Sequence, residues 1–152
     1  MRVSICAVGR AKGSPAAEIC QTYLKRLPWT VDIREVEVRK DLSGAKLVLA
    51  EAELLRGVVP DRATLVAMDG KGKTLSSEGF AQALGRWRDD GVGDLAFIIG
   101  GADGLHPDLL RQADLALSLG AMTWPHMLAR AMLMEQLYRA HTILTGHPYH
   151  RA

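Results

Sequence analysis

Three glycine-bearing segments each follow a short apolar run, and they carry the groups best suited to holding a small ligand. They are Met68-Asp69-Gly70-Lys71-Gly72-Lys73, Gly100-Gly101-Ala102-Asp103-Gly104 and Gly120-Ala121-Met122-Thr123-Trp124-Pro125-His126. Glycine at a strand end lets backbone approach a ligand closely, and free N–H and C=O groups there can read the edge of an adenine without charged side chains. Each segment alone is also what a plain turn looks like. Ala67 to Thr74 matches a relaxed phosphate-binding loop with alanine in place of its first glycine. In a true loop of that kind the helix starts at the Gly-Lys-Thr, whereas here Leu75-Ser76-Ser77 delays helical periodicity. Leu95–Ile99 then runs into glycine, not into the aspartate that would hold magnesium, which argues against a nucleotide triphosphatase. Gly100 to Gly104 misses the G-x-G-x-x-G spacing of dinucleotide sites.

The groups able to take up a proton near neutral pH lie late in the chain. His126, Tyr149 and His150 are candidate bases, with no feature of the sequence selecting among them. Glu135 and Arg139 are four apart, which suits a helical ion pair as well as it suits phosphate or substrate binding by Arg139. His147-x-x-His150 has no cysteine or carboxylate to complete a metal site, so no metal is expected. Gly146 and Pro148 end the last helix, leaving His147, Tyr149, His150 and Arg151 in a short tail rich in stacking, hydrogen-bonding and positive groups.

The elements that must position these residues follow from periodicity. Apolar runs at Val3–Val8, Val31–Val38, Ala63–Met68, Leu95–Ile99 and Leu115–Leu119 have strand length and alternate with helical segments. Ser14-Pro15 is a cap followed by proline at the first helical position, with Ile19, Tyr23, Leu24 and Leu27 on one face until Pro28. Gly44 to Arg56 repeats the pattern, with Gly57 expected to close it. Ser76-Ser77 precedes the stripe Phe80, Ala83, Leu84, Trp87, and His106-Pro107 opens a short fourth helix. Runs such as Leu95–Ile99, apolar at every position, imply cover on both faces. The fold expected is α/β, a mainly parallel sheet between helix layers, as a single domain over residues 1–152. The last helix, Pro125 to about Thr145, is apolar on more than one face, Met134 and Leu137 included. A symmetric partner chain is the expected cover for the surplus face, hence a homodimer.

Composition agrees. With 152 residues, 48% hydrophobic and 24% charged, the chain can bury a core without disulfides or a structural metal. Cys6 and Cys20 read as reduced small hydrophobes of a cytoplasmic protein. Met1 to Gly9 has too short an apolar run for a signal peptide or a membrane span and reads as a first buried strand. The net charge of +2 is far from that of a nonspecific nucleic-acid coat, so any RNA contact must come from a local patch.

Ordered blocks then cover the whole chain: Ala7-Val8-Gly9, Tyr23 to Leu27, Gly72 to Gly79, Phe97 to Leu105, Leu117 to His126, Arg130, Glu135 to Ala140 and Gly146 to His150. Together they resemble the ribosomal RNA large subunit methyltransferase H family, pseudouridine methyltransferases of the SPOUT superfamily. The family usually has serine where Gly120 stands and phenylalanine or leucine at Trp124, and the loop after Gly9 is short.

The resemblance implies a C-terminal trefoil knot, an exception to unknotted topology, whose loops grip S-adenosylmethionine. It places cofactor contacts at Met68, at Gly100, and along Leu119, Gly120, Ala121, Met122, Thr123 and Trp124. It implies a homodimer whose partner chain completes the RNA side of the site; Arg139, His147 and Arg151 are, by their own charge and position, the substrate-binding candidates. The substrate it implies is a pseudouridine of large-subunit (23S) rRNA, methylated on ring nitrogen N3 in the assembled ribosome.

Overall fold

Five parallel strands form the sheet, in the order β2-β1-β4-β3-β5, in a computed structural model that describes residues 1–152. In chain order the elements are β1 (Arg2–Val8), α1 (Pro15–Arg26), β2 (Val31–Val36), α2 (Gly44–Val58), β3 (Thr64–Thr74), α3 (Ser77–Asp89), β4 (Asp94–Ile99), α4 (Pro107–Gln112), β5 (Leu115–Ser118) and α5 (His126–Thr145). The caps fall where side-chain chemistry puts them. Ser14 accepts the amide of Ala17, Ser76 that of Gly79, and His106 that of Asp108. Gly146 closes α5 in the left-handed conformation at φ 72°. Gly57 does not close α2, which runs on to Val58 because the interior of a helix tolerates a glycine.

Strand alternation divides the apolar residues between two layers. Val3, Ile5, Ala7 and Phe97 face α1, α3 and α5, whereas Cys6, Val8, Ala96 and Ile98 face α2 and α4. Both cysteines are free and buried, and burial pushes the Cys6 thiol up to about 11. The three-helix layer holds the larger core, and α5 lies in it packed against both α1 and α3. Met134 and Leu137 are fully buried there. This corrects the expectation that they form a surplus face for a second chain: neighbouring helices of the same chain cover them. The apolar side chains that stay open are fewer, among them Ile19 on α1, and Trp124 and Leu128 around the start of α5.

Helices α3 and α4 follow adjacent strands to opposite layers, so the loops leaving β3 and β4 diverge and open a crevice at their carboxyl ends. β3 is longer than its apolar run suggests. Both Met68 and Lys73 stand opposite Leu117 of β5, so the residues between them bulge out and the strand resumes beyond. Gly72 is what permits this return, since a Cβ there would lie 2.6 Å from the Ala116 carbonyl. No helix is long and apolar enough to cross a membrane.

Candidate active site

A cavity of about 440 Å³ occupies that crevice, lined from the ends of β3, β4 and β5 and from the first turn of α5. Met68, Gly100 and every residue from Leu119 to Trp124 line it. Its volume lies within the roughly 300–1,000 Å³ of small-molecule sites. Its wall is mostly backbone and apolar side chain, as suits a ligand held by carbonyls and amides instead of by ion pairs.

Two local devices shape the wall. At Gly100 an added Cβ would sit 2.7 Å from the Gly104 carbonyl, so the close approach this glycine allows is to its own loop, which folds back through the Gly101–Gly104 bridge. Ser118, at the last position of β5, ties the other two loops together. Its hydroxyl lies 3.1 Å from the Gly70 carbonyl and 3.0 Å from that of Gly120, and accepts the Gly120 amide at 3.1 Å. Nothing in the sequence pattern assigns this residue a role; its signal is a serine in an apolar strand, two residues before Gly120. Gly120 itself is at φ 121°, a conformation that penalises a side chain. Met122 is 75% exposed and Trp124 41%, so the outer lip of the cavity is apolar and open.

His126 lines the cavity and faces Gly9 so closely that a Cβ there would lie 3.3 Å from its Nε2. One turn further, Arg130 has a side chain only 2% exposed. It donates to Glu35 at 2.5 Å and to the carbonyls of Gly9 at 3.1 Å and Val8 at 3.4 Å, while its Nε has no partner. Glu35 also accepts the Ala11 amide at 2.7 Å. Burial alone would raise the Glu35 carboxyl, but the bonds from Arg130 and Ala11 and the nearby positive charges outweigh it and hold it below the usual carboxylate range. A buried arginine is invisible to periodicity, and its spacing in the sequence assigns it no role.

The remaining site candidates gather elsewhere. Arg139 donates through Nε and Nη2 to Glu135, at 3.0 and 2.6 Å, the helical pair its spacing allows. The Tyr149 hydroxyl donates to the same carboxylate at 3.0 Å and lies 3.4 Å from that of Tyr23. Burial, then these two hydrogen bonds, push the Tyr149 phenol well above its ordinary value, so in this arrangement it stays protonated. His150 sits with Nε2 2.9 Å from Glu78 and Nδ1 3.2 Å from Arg139. Arginine only donates, so Nδ1 must accept and Nε2 carry the proton toward Glu78. His147 accepts the Tyr149 amide, and Arg151 is exposed without an ion pair. None of the four tail residues lines the cavity. No three His, Cys, Asp or Glu side chains gather in a metal-binding group.

Residues 1–150 match the family described as "Predicted SPOUT methyltransferase", which fixes the class of protein to which this sheet and cavity belong. The chain is 54% identical to ribosomal RNA large subunit methyltransferase H of Rhodospirillum centenum, covering all of both chains. It is 53% identical to the protein of that name from Paramagnetospirillum magneticum over 99% of each. The chain belongs to the ribosomal RNA large subunit methyltransferase H family. Solved structures share the fold at much lower identity. One is a probable methylase family protein from Haemophilus influenzae, with TM-score 0.56, 13% identity, and coverage of 99% of this chain and 70% of that one. Another is Archaeoglobus fulgidus Nep1 bound to S-adenosylhomocysteine, with TM-score 0.50, 11% identity, and coverage of 93% and 100%.

Proposed function

We propose that this protein methylates ring nitrogen N3 of a pseudouridine in the 23S rRNA of the assembled ribosome, using S-adenosylmethionine. The observation that carries the reading is the convergence of Met68, Gly100 and the run Leu119 to Trp124 on one cavity. Those residues are far apart in sequence, and the family resemblance assigns them to the same cofactor.

The cavity suits that cofactor by its size, its apolar floor at Leu117 and Leu119, and loops of exposed backbone able to read an adenine. S-adenosylmethionine, when bound, supplies a methyl group already activated on a sulfonium. The chain's own task is then to hold the ring nitrogen in line, exclude water and remove a proton: the N–H bond breaks as the N–CH3 bond forms. His126 is the candidate base that this chain itself places at the cavity. Tyr149 and His150 are held in a separate cluster. Their service in methyl transfer rests on a second chain, whose tail, with Arg139, His147 and Arg151, completes the RNA side in a homodimer. The open Ile19, Trp124 and Leu128 are surfaces such a partner would cover. The same reading takes residues 1–152 as one domain, threads the chain at the β5–α5 loop as a trefoil knot, and places the protein in the cytoplasm with the ribosome.

The test pairs two measurements. Calorimetry with S-adenosylhomocysteine should show one site per chain. Mass spectrometry of 23S rRNA from cells with and without the protein should show one methylated pseudouridine that depends on it. Cofactor binding without any rRNA change would overturn the substrate, and absence of cofactor binding would leave a ribosome-binding module that lacks catalysis.

A further inference from the structure

A second, larger hollow lies beside the cavity. It measures about 830 Å³ and runs along α1 toward β2, with Lys12 near one end and Lys25 and Arg26 at the other. These three cations form no ion pair within the chain, and the only unpaired carboxylate among the lining residues is Glu18. The other, Glu35, is neutralised in the floor by Arg130. The hollow therefore presents an excess of positive charge, with the polar side chains of Gln21 and Thr22 between its ends. Arg26 is also restrained, its guanidinium lying 5.6 Å from the Tyr23 ring centroid and 5.8 Å from that of Tyr138.

The shape decides what can fill it. From Pro15 to Lys25 the helix rises about 15 Å at 1.5 Å per residue. Lys12 precedes that helix and Lys25 and Arg26 lie in its last turn, so the cations are spread along the groove as suits a run of phosphates. The position decides whose phosphates. His126 and Ala129 line the cavity while Arg130 lines the groove, so one turn of α5 separates the two. Arg130 is held there by its bonds to Glu35 and to the Val8 and Gly9 carbonyls.

We infer that the groove between α1 and β2 binds the phosphate backbone of the rRNA strand flanking the target nucleotide, with Lys12, Lys25 and Arg26 as its contacts. This rests on the proposed rRNA substrate. Contacts of this kind supply affinity and register without reading sequence, and they make binding salt-dependent.

The test measures ribosome binding and methylation for wild type, Lys12→Ala/Lys25→Ala and Lys12→Glu/Lys25→Glu, between 50 and 200 mM salt. The lysines are exposed and unpaired, so thermal unfolding and S-adenosylhomocysteine affinity should match wild type. The alanine pair should weaken ribosome affinity about tenfold and flatten the log–log salt dependence by about one unit per lysine. KM should rise while kcat at saturating ribosome is kept, and the glutamate pair should do more. Unchanged affinity and salt slope, with wild type methylating normally, overturn the groove alone. Conversion of a wild-type dimer to monomers by the glutamate pair makes the groove an interface between copies and overturns it too. A wild type that neither binds nor methylates ribosomes sinks the substrate reading and takes the groove with it.

Discussion

The two ends of α5 serve sites made of opposite materials. At its start, the cavity is walled by glycine, backbone and apolar side chains drawn from three strand ends. At its finish, Glu135, Arg139, Tyr149, His150 and Glu78 form a network of ionisable groups bonded to one another. One chain thus carries an open pocket at one end of the helix, while the groups proposed for proton transfer and RNA contact are bonded among themselves at the other. Cofactor binding and methyl transfer should therefore separate cleanly by mutation.

The largest separation is expected from removing residues His147 to Ala152. Methylation of ribosomes should fall by at least about 10²-fold, because the groups proposed to position the RNA and to take up its proton leave together. S-adenosylhomocysteine affinity should not change, since no tail residue lines the cavity. A truncated protein that methylates at the wild-type rate would merge the tail with the many termini that do nothing.

The complementary break is Gly100→Leu. Its Cβ meets the Gly104 carbonyl, so the loop must shift, at the roughly 1–3 kcal/mol typical of overpacking. Cofactor affinity should drop about 10- to 100-fold at 1.4 kcal/mol per tenfold. Gly100→Ala sharpens the point: if it binds S-adenosylhomocysteine as wild type does, backbone crowding is not what the glycine relieves.

How far the sequence reveals each end follows from the same contrast. Glycines after apolar runs are local signals, so the strand ends, the helix caps at Ser14 and Ser76, and the stop at Gly146 are legible from spacing. The bulge that returns β3 to Leu117 depends on Gly72 pressing on Ala116, more than forty residues away, and no local pattern announces it. Met134 and Leu137 mislead for a related reason: periodicity shows that a face is apolar but not that α1 and α3 of the same chain cover it. Arg130 and the tail cluster are partnerships across 95 and 72 residues, set by topology.

Arg130→Met asks how far the start of α5 and the strand end at Val8 and Gly9 depend on that buried guanidinium. It strips Glu35 of its partner while leaving the carboxylate partly buried, at a cost of about 3 kcal/mol read by denaturant unfolding. The Glu35 carboxyl is depressed in the folded state. The bridge therefore contributes fully above the ordinary carboxylate value, and that contribution is lost as pH falls through the lowered one. Wild type should lose stability on that acid limb, and Arg130→Met should lose less. Parallel acid limbs in the two proteins would remove the bridge from the account.

The smallest effect belongs to the tail's anchor on α3. Glu78 is held below its usual range chiefly by the hydrogen bond from His150, with its own backbone amide adding to it. A depressed carboxyl stabilises its contact above the unfolded carboxylate pKa, and the contact weakens as pH falls through the folded value. Acid should thus loosen His150 from Glu78 while α5 remains intact, since the helix is secured by Leu133, Met134 and Leu137 in the apolar core. Ring resonances of His150, followed by NMR from pH 6 to 2.5, should move in a step that the backbone signals of α5 do not share. Glu78→Gln keeps an acceptor for the Nε2 proton but has no charge to lose, so its His150 resonances should lack that step. If wild type and Glu78→Gln titrate alike, the carboxylate does not hold the tail, and the two ends of α5 differ less in their dependence on charge than their contacts imply.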